Sequence, residues 1–335
     1  MGRGPTEKYH KDMMDGYVKG TLTCLSSHYI KSNINADFPL VLNIEPTNDC
    51  NLRCYICPRN KSKRKTGYMD FNFFTGIIDE CKKYNKLKMI NFHKDGESLL
   101  HPRIFDMIRY TADSQIAQTL HLNTNALELD NESAEKFILS GIDDVTMSVD
   151  AARKETFLQL KGFDLLDKVE FNIRHILELK RKKNLKKPFI RVKIMEFDKI
   201  TEEEIHEFIS QWKDVADDVQ VTGIHSWSGA IKGLKVTDEI KSKRIPCILL
   251  WYLLAINWDG EVSACNVDWN LSAVVGNAKN SSLHDIWNGE KIKKLRMAEL
   301  MDNHEFAEVC KECIVWASGE DMTDYFIQRK EFLPK

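Results

Sequence analysis

The sequence predicts an α/β protein, a parallel sheet made of repeated strand–loop–helix units, followed by a smaller α+β unit. Three observations predict it. From Leu40 to about Thr222, short apolar runs alternate with amphipathic helical stretches, the rhythm of parallel β/α units. That rhythm stops after Ser228-Gly229, where a hairpin and short helices take over. The 335 residues also exceed one average domain. On this reading, residues 1–36 form an N-terminal arm, 37–235 the core and 236–335 the C-terminal unit.

The first strand runs over about Leu40–Ile44. A helix is expected from about Asp70, because Phe71, Phe74, Ile77, Ile78, Cys81 and Tyr84 recur at helical spacing. Leu87–Phe92 reads as the second strand, and Pro102 suits the first position of a helix carrying Ile104, Phe105 and Ile108. Thr119–Leu122 is the third strand, and a helix over 131–140 stops at Gly141. Asp144–Val149 is the fourth strand; Asp164–Lys182 is a helix with Leu165, Val169, Ile173, Ile176 and Leu177 on its stripe. Phe189–Met195 is the fifth strand. Thr201 and Glu204 then have capping-box spacing. Asp218–Thr222 is the sixth strand, so the units number six against the eight of a closed barrel. Residues 252–267 read as a hairpin turning at Asp259-Gly260, with helices near 281–287 and 290–301.

Lys and Arg number 48 against 50 Asp and Glu, so no global basic field argues for nucleic acid. The longest apolar run, Ile248–Ile256, falls far short of the roughly 20 residues that span a bilayer. Residues 1–30 hold no signal-peptide-like apolar stretch, and the nine cysteines are too clustered for a secreted disulfide framework. The expectation is a protein of the reducing cytoplasm, with no membrane partner.

Three of those cysteines, Cys50, Cys54 and Cys57, lie in one loop directly after the first strand, spaced C-x3-C-x2-C. Cysteine thiolate is the usual ligand of cubane iron–sulfur clusters, and three ligands for four irons leave one iron open to a small molecule. A structural zinc would need four ligands, and the loop supplies three. The next cysteine, Cys81, lies on an apolar helical face and reads as core.

The loop resembles the signature of the radical S-adenosylmethionine (SAM) superfamily. The resemblance covers about residues 37–225 and implies a six-unit partial TIM barrel. It also implies that the open iron takes the amino and carboxylate groups of SAM, whose reductive cleavage gives a 5′-deoxyadenosyl radical that removes hydrogen from a substrate. Ile56 stands where the family often has an aromatic residue, so adenine packing is expected to differ there. Of the family's Gly-Gly-Glu segment for the SAM amino group, Gly96 and Glu97 are present, while Asp95 replaces the first glycine. Asn123, Asn125, Ser148 and Asp150 end the third and fourth strands, where similar enzymes contact the SAM ribose and carboxylate.

In the C-terminal unit, Cys247 and Cys265 flank the hairpin and Cys310 and Cys313 form a C-x2-C. Four cysteines can close a zinc site. The order C-x12-G-x4-C, gap, C-x2-C also resembles the auxiliary-cluster half of SPASM and twitch extensions, which implies a second, fully ligated 4Fe–4S cluster.

The overall pattern is similar to radical SAM dehydrogenases and epimerases of sugars and aminocyclitols. Oxidation of an alcohol, with the auxiliary cluster as electron acceptor, is the leading expectation; epimerisation and ribosomal-peptide maturation are the alternatives. His93, Lys193, Glu196 and His225 are candidates for the base, with Trp227 nearby in sequence. Surface or packing roles explain each of them equally well. The run Arg59, Lys61, Lys63, Arg64 and Lys65 reads as solvated charge, or as a docking patch for an acidic electron donor such as flavodoxin or ferredoxin.

Overall fold

The computed structural model describes residues 25–196, 198–223, 227–231 and 243–334. Six parallel strands, β1 (Val41–Ile44), β2 (Leu87–Asn91), β3 (Ala117–Thr124), β4 (Asp144–Ser148), β5 (Phe189–Glu196) and β6 (Asp218–Gly223), pair in sequence order. All four residues of β1 are buried, as expected of a parallel strand covered on both faces.

The helices between the strands start where short polar side chains satisfy free N–H groups. Asp70 accepts from Phe73 N–H at 2.9 Å and opens Phe71–Cys81; Asp130 accepts from Ser133 N–H at 3.0 Å and opens Asn131–Ile138. Thr201 accepts from Glu204 N–H and opens Glu202–Trp212. The expected capping box is only half made. The Glu204 carboxylate turns instead to Ala152 and Arg153 N–H and to the Thr156 hydroxyl, tying this helix to the segment after β4.

Other expectations need adjustment. Pro102 lies before its helix, which starts at Ile104. The helix after Asp130 ends at Ile138, and Gly141 follows with φ +95°. The stretch read as one helix over 164–182 begins at Leu166, and a separate helix, Lys154–Lys161, precedes it with Gly162 at φ +83° as its left-handed end. The hairpin turn has three residues rather than two. Asn257 N–H donates to Glu261 O, and Gly260, at φ +94°, supplies the left-handed position.

The C-terminal strands extend the same sheet. β7 (Leu253–Ile256) pairs parallel with β1, from Val41 opposite Leu253 to Ile44 opposite Ile256. β8 (Glu261–Ser263) and an unanticipated β9 (Val274–Asn277) follow antiparallel, making nine strands in the order β6-β5-β4-β3-β2-β1-β7-β8-β9. Helices Leu283–Trp287 and Glu290–Leu300 follow close to their expected places. The boundary expected near residue 235 and most of the arm over 1–36 lie outside the described residues. No described helix is long and apolar enough to cross a membrane.

Candidate iron–sulfur and SAM site

The cysteine loop leaves β1 and is fixed from three sides. Arg59 donates to Asn48 O at 2.6 Å and pairs with Asp49 at 3.0 Å. The Asn48 side chain bonds Lys65 O and Gly67 N–H at 2.8 and 2.9 Å. From across the site, Glu97 N–H donates to Asp49 O at 2.7 Å. Gly96 lies so close to the loop that a Cβ there would stand 2.4 Å from Thr47 O, which is why this position must be glycine.

Cys50, Cys54 and Cys57 are half-buried. Burial pushes Cys50 up to about 11 and Cys57 up to about 12, while the backbone N–H of Leu52 and of Arg59 act in the opposite sense. Burial alone does not mark a ligand, since it raises the core thiol of Cys81 as well; it is their grouping on one loop that suits these three to a shared cation.

The segment 94–98 is less open than the sequence suggests. The Glu97 carboxylate faces the end of β3, accepting from the Thr124 hydroxyl at 2.9 Å, Asn125 N–H at 2.8 Å and Leu99 N–H at 3.1 Å. Burial pushes it up to about 7 against those donors. Asn125 Nδ2 reaches Asn51 Oδ1 at 2.7 Å, joining β3 to the cysteine loop. Asp150, at φ +63°, is buried between Lys161 at 2.5 Å and Lys193 at 3.8 Å. Burial would raise its carboxyl, yet Lys161 and then Lys193 hold it below the usual range.

Among the other candidates, Ile56 is buried in the core. The Ser148 carbonyl accepts from Lys161 at 3.1 Å, and Asn123 is half-buried beside Thr146 on β4. His93 is half-buried beyond β2, its Nδ1 covered and without a partner among the described atoms. Burial, then His121 and Lys193, depress it to about 4, so its imidazole is neutral near pH 7. Glu196 is exposed at the end of β5. His225 lies outside the described residues.

Arg64 corrects the reading of the basic run. Its side chain is 7% exposed and pairs with Glu45 and with Asp95 at 3.1 Å, so it belongs to the interior rather than to a docking patch. Lys94 joins the network through Asp95 and donates to Asp268 O at 3.0 Å, in the loop after Cys265. A second buried chain crosses the barrel: His121 Nδ1 lies 2.6 Å from Asp144, and Arg191 reaches Asp144 and Asp218 at 3.4 and 2.9 Å. These groups were missed. The signal was the polar residue at alternate positions of strands that would otherwise be apolar throughout: Asn43 and Glu45, Asn91 and His93, His121 and Asn123, Arg191 and Lys193.

The other four cysteines do converge. Cys247, Cys265, Cys310 and Cys313 line one cavity with Leu249, Leu250, Val309, Val315 and Trp316, and Arg244 at its edge. Val267 N–H and Val315 N–H point at the Cys265 and Cys313 sulfurs at 3.3 and 3.4 Å, bonds that tune an iron–sulfur cluster. Glu299 accepts from Cys247 N–H at 3.0 Å and pairs with Arg244 at 3.3 Å, and Arg244 donates to Cys310 O at 2.8 Å. Among the described residues, no three Cys, His, Asp or Glu side chains are grouped as for a single metal ion.

Comparison with known proteins gives two family matches, to the radical SAM superfamily over residues 44–211 and to the SPASM iron–sulfur cluster-binding domain over 247–314. The tungsten-containing aldehyde ferredoxin oxidoreductase cofactor-modifying protein of Pyrococcus furiosus is 25% identical, over 81% of this chain and 86% of its own length. The S-adenosyl-L-methionine-dependent 2-deoxy-scyllo-inosamine dehydrogenase of Niallia circulans is 21% identical, over 86% and 98%. Among solved structures, BtrN in complex with AdoMet and 2-DOIA matches at TM-score 0.56 and 17% identity, over 82% of this chain and 93% of that one. Streptococcus suis SuiB bound to the precursor peptide SuiA matches at 0.64 and 15%, over 91% and 77%. Both likenesses are of fold.

Proposed function

The chain belongs to the radical SAM superfamily, and on that premise we propose that it oxidises an alcohol of a small polar molecule, sugar-like or aminocyclitol-like. The observation that carries this reading is the four-cysteine cavity, a complete ligand set beside the barrel that suits a cluster able to take up an electron. Cys50, Cys54 and Cys57 would hold the first cluster, with one iron left for SAM; Cys247, Cys265, Cys310 and Cys313 would hold the second. When bound, SAM and the clusters supply removal of a hydrogen atom and acceptance of the one electron then left on the substrate.

The chain's own residues have narrower tasks. Gly96 lets the backbone of its segment approach the cysteine loop. Glu97 and Asn125 hold the end of β3 against that loop, and Ser148, Asp150 and Asn123 offer polar groups at the same rim. His93, beyond β2, is the candidate to accept the substrate's hydroxyl proton; burial keeps its imidazole neutral and at the same time makes it a weak base. The hydrogen atom, the proton and the electron then leave by three routes, and a carbonyl remains. A hydroxyl next to a carbon radical is much more acidic than an ordinary alcohol, so a weak base suffices. Lys193 orients the substrate from β5; Glu196, exposed, has at most a part at the rim.

One relative supports this substrate class, being named for a dehydrogenase of 2-deoxy-scyllo-inosamine. Epimerisation needs a thiol to return hydrogen; among the described residues the one cysteine outside the two ligand sets, Cys81, is packed in the core at 2% exposure, and Cys24 lies outside them. The test is anaerobic reaction of reconstituted enzyme with SAM, reductant, and 2-deoxy-scyllo-inosamine or a panel of sugars, followed by mass spectrometry. We expect 5′-deoxyadenosine and a product lighter by two hydrogens in equal amounts. A product with the substrate's mass in ordinary water, and one unit heavier in deuterium oxide, would overturn dehydrogenation in favour of epimerisation.

A further inference from the structure

Lys161 is outside every motif, yet it joins three parts of the site. It ends the helix Lys154–Lys161, and its side chain is 5% exposed. Its ammonium donates to Asp150 Oδ2 at 2.5 Å and to Ser148 O at 3.1 Å, where β4 ends. Its carbonyl accepts from Arg53 N–H at 3.2 Å, and the neighbouring Leu160 carbonyl accepts from Tyr55 N–H at 2.7 Å. A helix leaves its last carbonyls unpaired. Here they are satisfied by the cysteine loop, on both sides of Cys54. Gly162 turns the chain away beneath Arg53, where a Cβ would meet Arg53 O at 3.4 Å.

We propose that Lys161 is a positioning residue for the cluster held by Cys50, Cys54 and Cys57, clamping the loop on both sides of Cys54 and keeping a buried positive charge against that loop, which eases the cluster's reduction. This rests on the ligand assignment given above. Asp150 is one carboxylate facing two ammonium groups, Lys161 and Lys193, so the fixed charge on this side of Cys54 sums to positive. Reduction adds negative charge to a cluster. A cation held in a poorly polarisable interior favours that state far more than one in water.

The test is a redox titration of anaerobically reconstituted enzyme, following the electron paramagnetic resonance signal that changes on adding SAM, with iron and sulfide measured alongside. Lys161→Met should shift the midpoint to more negative potential at full iron content, and Lys161→Arg, which keeps the charge, should return most of the shift. An unchanged midpoint in fully loaded Lys161→Met overturns the proposal. Should that variant fail to hold iron, Lys161→Gln, whose uncharged amide can still donate to Asp150 and Ser148 O, carries the comparison. A midpoint below wild type supports the proposal there, and one equal to it overturns it. A wild-type protein lacking any SAM-responsive signal would remove the ligand assignment itself, a separate failure.

Discussion

The two cysteine sets sit in opposite surroundings. Around Cys50, Cys54 and Cys57 stand Arg59, Asp49, Asp150, Lys161 and Lys193. The cavity of Cys247, Cys265, Cys310 and Cys313 is walled by leucine, valine and tryptophan, with one arginine at its edge. A place for a zwitterionic ligand needs fixed charges to meet it. A place that only passes an electron needs a full set of ligands and little else. On the proposed function the contrast is one of task, written in which side chains line each site.

The largest expected effect tests that division. Cys54→Ala should abolish 5′-deoxyadenosine formation, whereas Cys313→Ala should leave SAM cleavage measurable and lose the oxidised product. Quantifying both products in each variant decides it, and equal loss of both in Cys313→Ala would erase the distinction. Next in size, Arg64→Met strands the buried Glu45 carboxylate and leaves Asp95 to Lys94 alone, and should cost about 3–5 kcal/mol in urea unfolding. Arg153→Ala, which breaks an exposed pair with Glu207, should cost less than about 1 kcal/mol. Similar losses would show that the charges around the first site carry no special structural weight.

The last effect concerns pH. Burial holds Glu97 near 7 in the folded protein, above the ordinary 4.5. The folded state thus binds the proton more tightly, and the resulting stability is full below pH 4.5 and fades as pH rises through 7. Unfolding free energies of the metal-free protein should fall over that window, by an amount on the order of 3 kcal/mol. In Glu97→Gln the fall should be absent. A variant with the wild-type slope would assign the pH dependence to another group.

Much of this was legible in the sequence because backbone pattern is local. The six parallel strands followed from apolar runs, and the Asp70 and Thr201 caps from residue type. Both cysteine sets were visible as spacings. What escaped depended on where chains meet. Arg64 sits in a basic run that looks solvated, and only the fold brings Glu45 and Asp95 to it. Lys161 occupies the buried face of a short helix with Phe157 and Leu160, a face where hydrophobic spacing gives no reason to expect a charge. Glu97 lies in a recognisable segment, but its carboxylate direction was set by Thr124 and Asn125, on a different strand. Spacing located the candidate ligands; long-range packing decided their electrostatics.

The parallel pairing of β7 with β1 limits how this molecule could be divided or recombined. A strand edge left bare is a template for unwanted association, and β7 covers the edge that β1 would otherwise present. The four-cysteine unit is accordingly no detachable cartridge. A graft that exchanged it for a relative's equivalent would succeed only by carrying a strand able to match Val41–Ile44 residue for residue.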